Sequence, residues 1–143
     1  MTTGWVVNAL LSALLAGITA VLAKVGLAGV SADLATLIRT AFVLLFMLLI
    51  YIALHGAPRG FELGARAYWF LAASAAAAAL SWLFYYRAIQ SGPVAGVSAI
   101  DRSSLIVAAV AAAMFLGERL TPRILIGAVL VVIGVMLMTL RGR

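Results

Sequence analysis

Four ionisable side chains lie inside long stretches of otherwise apolar sequence: Lys24, Arg39, Asp101 and Arg102. Charged groups in such surroundings are costly and usually meet a counter-charge, a water-filled cavity or a bound solute. Arginine recognises carboxylate and phosphate through paired hydrogen bonds, and aspartate can balance that charge or bind an amine. The pattern therefore predicts a binding or coupling site for a small polar solute, centred on Arg39, Asp101 and Arg102.

Helical spacing places further polar side chains near these charges. Adjacent helical residues point about 100° apart, so Asp101 and Arg102 do not face each other and at least one needs a partner elsewhere. A buried salt bridge between Asp101 and Arg39, locking two helices, is the alternative to a binding role. Trp82 is expected either to stack on the solute or to pack in the core. The remaining expected site residues are Asn8, Ser12, Ser98 and Ser104.

The composition requires a lipid environment and narrows the class of protein. Of 143 residues, 66% are hydrophobic and 10% are charged, and the mean hydropathy is +1.23. Soluble domains carry roughly 45–50% apolar and about 25% charged residues. The net charge of +6 comes from bases scattered near predicted helix ends, which suits phospholipid headgroups better than nucleic acid. No cysteine, phosphate-binding loop, metal-ligand cluster or Ser-His-Asp arrangement occurs, so we expect no enzyme, cofactor or metal site.

Five apolar stretches are long enough to cross a bilayer, which takes roughly 20 residues of helix. They predict an all-α integral membrane protein, a single domain of five transmembrane helices over residues 1–143. No basic segment precedes the first stretch, so we expect a first span rather than a cleaved signal peptide. Ser31 or Asp33, and also Thr121, are candidate helix N-caps. The predicted spans are residues 4–25, 32–54, 67–86, 94–116 and 123–140.

The basic residues leave the orientation of the chain open. Lysine and arginine near the cytoplasm normally decide which face is inside. One face carries Arg59, Arg66, Arg119 and Arg123, and the other carries Lys24, Arg87, Arg141 and Arg143. Each face therefore carries four basic residues. Either the surrounding sequence sets a preferred orientation that this count does not reveal, or the protein has dual topology, in which copies insert in both orientations and pair antiparallel.

Small residues on the last span suggest a second route to association. Gly127 and Gly134 are seven residues apart on one stripe of that helix. Such residues let helices approach closely. The stripe predicts either packing within one chain or a dimer contact.

Several segments resemble a known family across nearly the whole chain. They are residues 13–39, 85–94, 116–122 and 126–129. The chain is similar to the drug/metabolite transporter superfamily and, more closely, to a single EamA-type domain. The Gly-Glu-Arg-Leu-Thr-Pro run before the last span is more specific than the helical composition.

The resemblance implies an assembly and a mechanism. Full-length members commonly hold two five-helix repeats of opposite orientation, with a substrate cavity between them and alternating access. This chain would supply one repeat of that ten-helix inverted-repeat plan, so an antiparallel homodimer would recreate it. The related small multidrug resistance proteins rely on an acid in their first helix. That helix has no acid here, so proton-coupled export of cationic drugs is not expected.

The expected function is secondary transport of a small polar metabolite, either an amino acid or a related compound, anionic solutes included. The protein would act as a dimer in the bacterial inner membrane. Two alternatives stay open: a structural or accessory membrane subunit without transport activity, and one half of an obligate heterodimeric transporter.

Overall fold

The computed structural model describes residues 3–57 and 64–140, apart from the side chain of Thr3. All regular structure in these ranges is helical. Five helical stretches of the described residues are long and apolar enough to cross a membrane, which confirms the predicted fold class. Arg59, Arg141 and Arg143, used above in the charge comparison, lie outside the described residues. The helices are α1 (Thr3–Gly26), α2 (Ala32–His55), α3 (Ala65–Ser91), α4 (Val94–Arg102), α5 (Ser104–Phe115) and α6 (Pro122–Thr139).

Hydroxyl side chains cap two of the helices at their N-termini. Ser31, rather than Asp33, caps α2 and accepts a hydrogen bond from the backbone N–H of Leu34 at 3.4 Å. Thr121 caps α6 in the same way, with Pro122 in the first helical turn. A capping oxygen accepts from an N–H that has no partner inside the helix, and proline loses nothing at that position.

The third helix continues beyond the predicted end of its span. The apolar stretch ends near Tyr86, but α3 runs to Ser91 because no helix breaker occurs before Gly92 and Pro93. The extra turn carries Arg87 and Gln90. Tyr86 consequently lies within the helix and not at its end, and it is 5% exposed.

The fourth span is interrupted at Ser103, which separates α4 from α5. The Ser103 N–H donates to the carbonyl of Ile100, three residues back, at 3.0 Å, and its hydroxyl donates to the same oxygen at 2.6 Å. Bonds over three residues tighten a helical turn, and serine hydroxyls that bond the backbone compete with the regular pattern. The interruption comes directly after Asp101 and Arg102.

Contacts divide the chain into two compact units. One consists of Met1–Val21 with Ser91–Arg143, and the other of Leu22–Gln90. In the first unit, α4 packs against α6. In the second, α2 and α3 meet through charged and aromatic side chains. Most large apolar side chains are exposed, as expected where lipid is the solvent.

Candidate functional site

Arg39 of α2 lies against two aromatic rings of α3. Its guanidinium carbon is 4.4 Å from the centroid of the Trp82 ring and 5.9 Å from that of the Tyr86 ring. A guanidinium within about 6 Å of an aromatic face is attracted by the electron density of the ring. The structure therefore brings together two of the expected site residues, Arg39 and Trp82, and adds Tyr86, which follows Trp82 by one helical turn.

The hydrogen bonding of the Arg39 guanidinium is incomplete. Its Nη1 is buried and has no hydrogen-bond partner, which is true of no other buried side-chain nitrogen or oxygen in the described part of the chain. The hydroxyls of two nearby threonines are already engaged: Thr36 donates to the Ala32 carbonyl at 2.7 Å, and Thr40 donates to the Thr36 carbonyl at 2.8 Å. Buried polar groups are nearly always paired, so the unpaired guanidinium nitrogen makes Arg39 a candidate for contact with a further polar group.

A second cluster of polar side chains connects the end of α1 and the turn after it to the end of α3 through hydrogen bonds. Lys24 Nζ donates to the carbonyl oxygens of Ile89 at 2.6 Å and of Gln90 at 3.1 Å. The Gln90 side-chain amide donates to the Val30 carbonyl at 2.9 Å. The last carbonyls of a helix lack partners within it, and a cation there also suits the helix dipole. Because α3 has no basic residue in its last turn, Lys24 supplies that charge from another helix.

The charged pair of the fourth span lies in the other unit. Asp101 and Arg102 are both exposed and stand at the end of α4, where the helix is interrupted. Ser98 is half-buried, one turn earlier, and Ser104 is exposed at the start of α5. The structure therefore places these four residues close to one another along the same span.

The expected site residues are distributed over both units. Arg39 and Trp82 belong to Leu22–Gln90, whereas the other six belong to Met1–Val21 with Ser91–Arg143: Asn8, Ser12, Ser98, Asp101, Arg102 and Ser104. Asn8 and Ser12 are exposed on α1. One pocket formed by all eight residues, and equally the salt bridge between Arg39 and Asp101, stay predictions.

The small-residue stripe of α6 is open in the single chain. Outside the backbone of the helix itself, no heavy atom of the described residues lies within 4 Å of the position that a Cβ would take at Gly127 or at Gly134. Gly127 is exposed and Gly134 is half-buried. The stripe therefore has room for close contact with another helix, and its role as a dimer contact stays a prediction.

Two features of the second unit were not predicted from the sequence as site elements. Tyr86 was not among the expected site residues, although its spacing of one helical turn from Trp82 puts both rings on the same side of α3. Lys24 was recognised as a charge within a span, but its acceptors are backbone carbonyls, which leave no signal in the side-chain pattern.

Five long apolar helices in the described part of the chain, some of which contain charged side chains, define a multi-pass membrane protein. The chain matches the EamA-like transporter family over residues 3–140 of its 143, and it belongs to that family. It is 38% identical over 138 residues to a Sinorhizobium sp. protein described as an uncharacterized transporter in the cobO 3′ region. That match covers 96% of this chain and 98% of the relative. No solved structure matches the chain significantly.

Proposed function

We propose that the protein is a secondary transporter, not an enzyme, that moves a small polar metabolite across the bacterial inner membrane by alternating access. An amino acid or a related compound is the expected class of substrate. Family membership over residues 3–140 supports transport as the general activity. The relative named as a transporter is matched over 98% of its own length, so the similarity extends over nearly the whole of that protein.

The position of Asp101 and Arg102 is the observation that carries this proposal. They are the eighth and ninth residues of the 22-residue span Val94–Phe115, counted from Val94, and both are exposed. A charged side chain facing lipid near the centre of a span costs about 2.5–3.5 kcal/mol or more. An exposed pair at this depth is stabilised by a water-filled cavity or by a partner chain, and a transporter of polar solutes provides both.

The proposed assembly is an antiparallel homodimer. One chain provides a single five-helix repeat, and the balanced basic residues of its two faces allow insertion in both orientations. Two antiparallel copies would form an inverted-repeat transporter with the substrate site between them. Gly127 and Gly134, on the open face of α6, are the proposed dimer contact.

The proposed site combines charge recognition with polar lining. Arg39 and Arg102 attract an acidic group of the solute, and Asp101 balances the charge or binds an amine. Trp82 provides a flat surface beside Arg39. The lining is completed by Asn8, Ser12, Ser98 and Ser104.

Transport by the purified protein tests this function. The protein is reconstituted into liposomes, and uptake of labelled amino acids, organic acids, phosphate esters and neutral polar metabolites is measured beside a transporter of known activity. The proposal predicts saturable uptake of at least one member of the panel. If the reference transporter is active and no member moves, the chain is an accessory subunit or requires a different partner.

A further inference from the structure

Arg39 is a half-buried cation without a carboxylate partner among the described residues of its own unit. Among the described residues of Leu22–Gln90, Asp33 is the sole acidic side chain, and both of its oxygens are bonded to Arg87. The surroundings of Arg39 are instead two aromatic rings, at 4.4 and 5.9 Å from its guanidinium carbon. A charge held in a largely apolar setting interacts more strongly with an opposite charge than it would in water.

The arrangement leaves donors of the guanidinium available for an oxygen ligand. Stacking on an aromatic face engages the plane of the guanidinium, whereas its hydrogen bonds point outward within that plane. Nη1 donates to no group of the described residues. Arg39 as a whole is half-buried, so part of the side chain is open to a ligand.

We propose that Arg39 binds the oxyanion of a small solute, a carboxylate or a phosphate group, with Trp82 and Tyr86 as positioning residues that hold the guanidinium. That this solute is a transported substrate rests on the proposed function, whereas binding of the oxyanion to Arg39 does not depend on transport. The recognition element therefore lies between α2 and α3 of one chain. Asp101 and Arg102 are not needed for this contact.

Fluorescence of Trp82 provides a local readout, because the ring is in contact with the binding group. The variant W5F/W69F retains Trp82 as its only tryptophan. This protein, purified in detergent, is titrated with sodium acetate, sodium phosphate and neutral acetamide at constant ionic strength. The proposal predicts a saturable change with acetate, phosphate or both, and none with acetamide. Saturation by acetate alone identifies a carboxylate site, and saturation by phosphate alone identifies a phosphate site.

Substitutions at Arg39 then assign the signal to this side chain. R39Q is expected to weaken oxyanion binding by about tenfold or more, because a charge-assisted hydrogen bond is lost. R39K keeps the charge but not the planar group, and is expected to weaken binding about threefold or more. R119Q removes a loop arginine outside the proposed site and is expected to leave binding within about twofold of the parent protein.

Titration of the parent protein tests oxyanion binding even if R39Q does not fold. The proposal is overturned if neither oxyanion gives a saturable change, if acetamide acts equally, or if the Arg39 variants bind as the parent protein does. Oxyanion binding that depends on Arg39, in a protein that transports nothing, would support this inference and remove the proposed function. Transport of a neutral metabolite without oxyanion binding would do the reverse.

Discussion

Arg87 of α3 binds Asp33 of α2 through two parallel hydrogen bonds. Arg87 Nε donates to Asp33 Oδ1 at 3.0 Å, and Arg87 Nη2 donates to Oδ2 at 3.1 Å. The side chains are 51% and 62% exposed, so solvent and salt weaken the attraction between their charges. The value of the pair is geometric: it fixes the first turn of α2 beside the last turns of α3, and thereby helps to hold Arg39 opposite Trp82.

A double-mutant cycle on this ion pair should show a small coupling that depends on salt. D33N and R87Q each remove one charge, and the double variant separates the pairwise effect from other contacts of Arg87. Thermal unfolding in detergent is measured for all four proteins at low salt and at about 1 M salt, where the screening length is a few ångström. We expect a coupling at low salt that declines at high salt. A coupling of the same size at both salt concentrations would contradict a solvent-exposed ion pair.

Removal of the Lys24 ammonium should destabilise the end of α3. K24M keeps the aliphatic chain but loses the bonds to the Ile89 and Gln90 carbonyls, which are 2.6 and 3.1 Å long. We expect the free energy of unfolding to fall by about 1–2 kcal/mol, since hydrogen bonds from charged donors contribute roughly 1.5–3 kcal/mol and this site is only partly buried.

K24R is the matched control for that substitution, because it retains a cationic donor. Unfolding by increasing denaturant in mixed micelles measures both variants against the parent protein. K24R should lie closer to the parent than K24M does. Equal stability of K24M and the parent protein would show that the bonds to α3 contribute nothing.

Periodicity and helix-breaking residues predict most of the fold. Length and hydropathy define five spans, and the Ser31 and Thr121 caps follow from residue type. The end of α3 was misplaced because hydropathy reports where lipid contact ends, whereas the helix continues until Pro93 prevents it. The interruption at Ser103 could not be predicted, since serine fits a helix and the bonds to Ile100 depend on local geometry.

Only part of the candidate site could be predicted from the sequence. Arg39 and Trp82 were selected by residue type alone, as an arginine and a tryptophan inside apolar spans. In the structure the guanidinium carbon of Arg39 lies 4.4 Å from the centroid of the Trp82 ring. Their contact depends on how α2 and α3 pack, which helical spacing within one segment does not determine. Asn8 and Asp101 lie in different segments of the other unit, and for the same reason their grouping with Arg39 stays a prediction.

Bulky residues on the α6 stripe should separate assembly from folding. A Cβ at Gly127 or Gly134 has no heavy atom from the rest of the described chain within 4 Å, so we expect G127I and G134I to leave the yield of folded monomer unchanged. If the stripe is the dimer contact, the fraction of dimer should fall several-fold, as measured by light scattering or crosslinking in detergent. V129I, on an exposed position of the same helix, is the control. Dimer fractions equal to the parent in both glycine variants would place the contact elsewhere.

Reporters fused to the C-terminus should reveal the orientation of the chain. An enzyme active only in the cytoplasm and one active only in the periplasm are attached after Arg143 in two separate fusion proteins. Dual topology predicts activity from both fusions, because four basic residues on each face give no positive-inside preference. Addition of two lysines to the loop between α5 and α6 should then shift activity toward one fusion. Activity from a single reporter would remove the antiparallel homodimer.

Uptake by reconstituted D101N tests transport itself most directly, once a transported solute has been found with the panel. Asparagine keeps the shape of Asp101 but removes the charge at the interrupted fourth span. The variant is compared with the parent protein and with R119Q, at equal amounts of folded protein in the liposomes. We expect D101N to lower uptake at least about tenfold, because a charge that the solute or its partner requires is lost. We expect R119Q to transport like the parent protein. Full uptake by folded D101N would show that the charge within the span only stabilises the fold, and would contradict the proposed site.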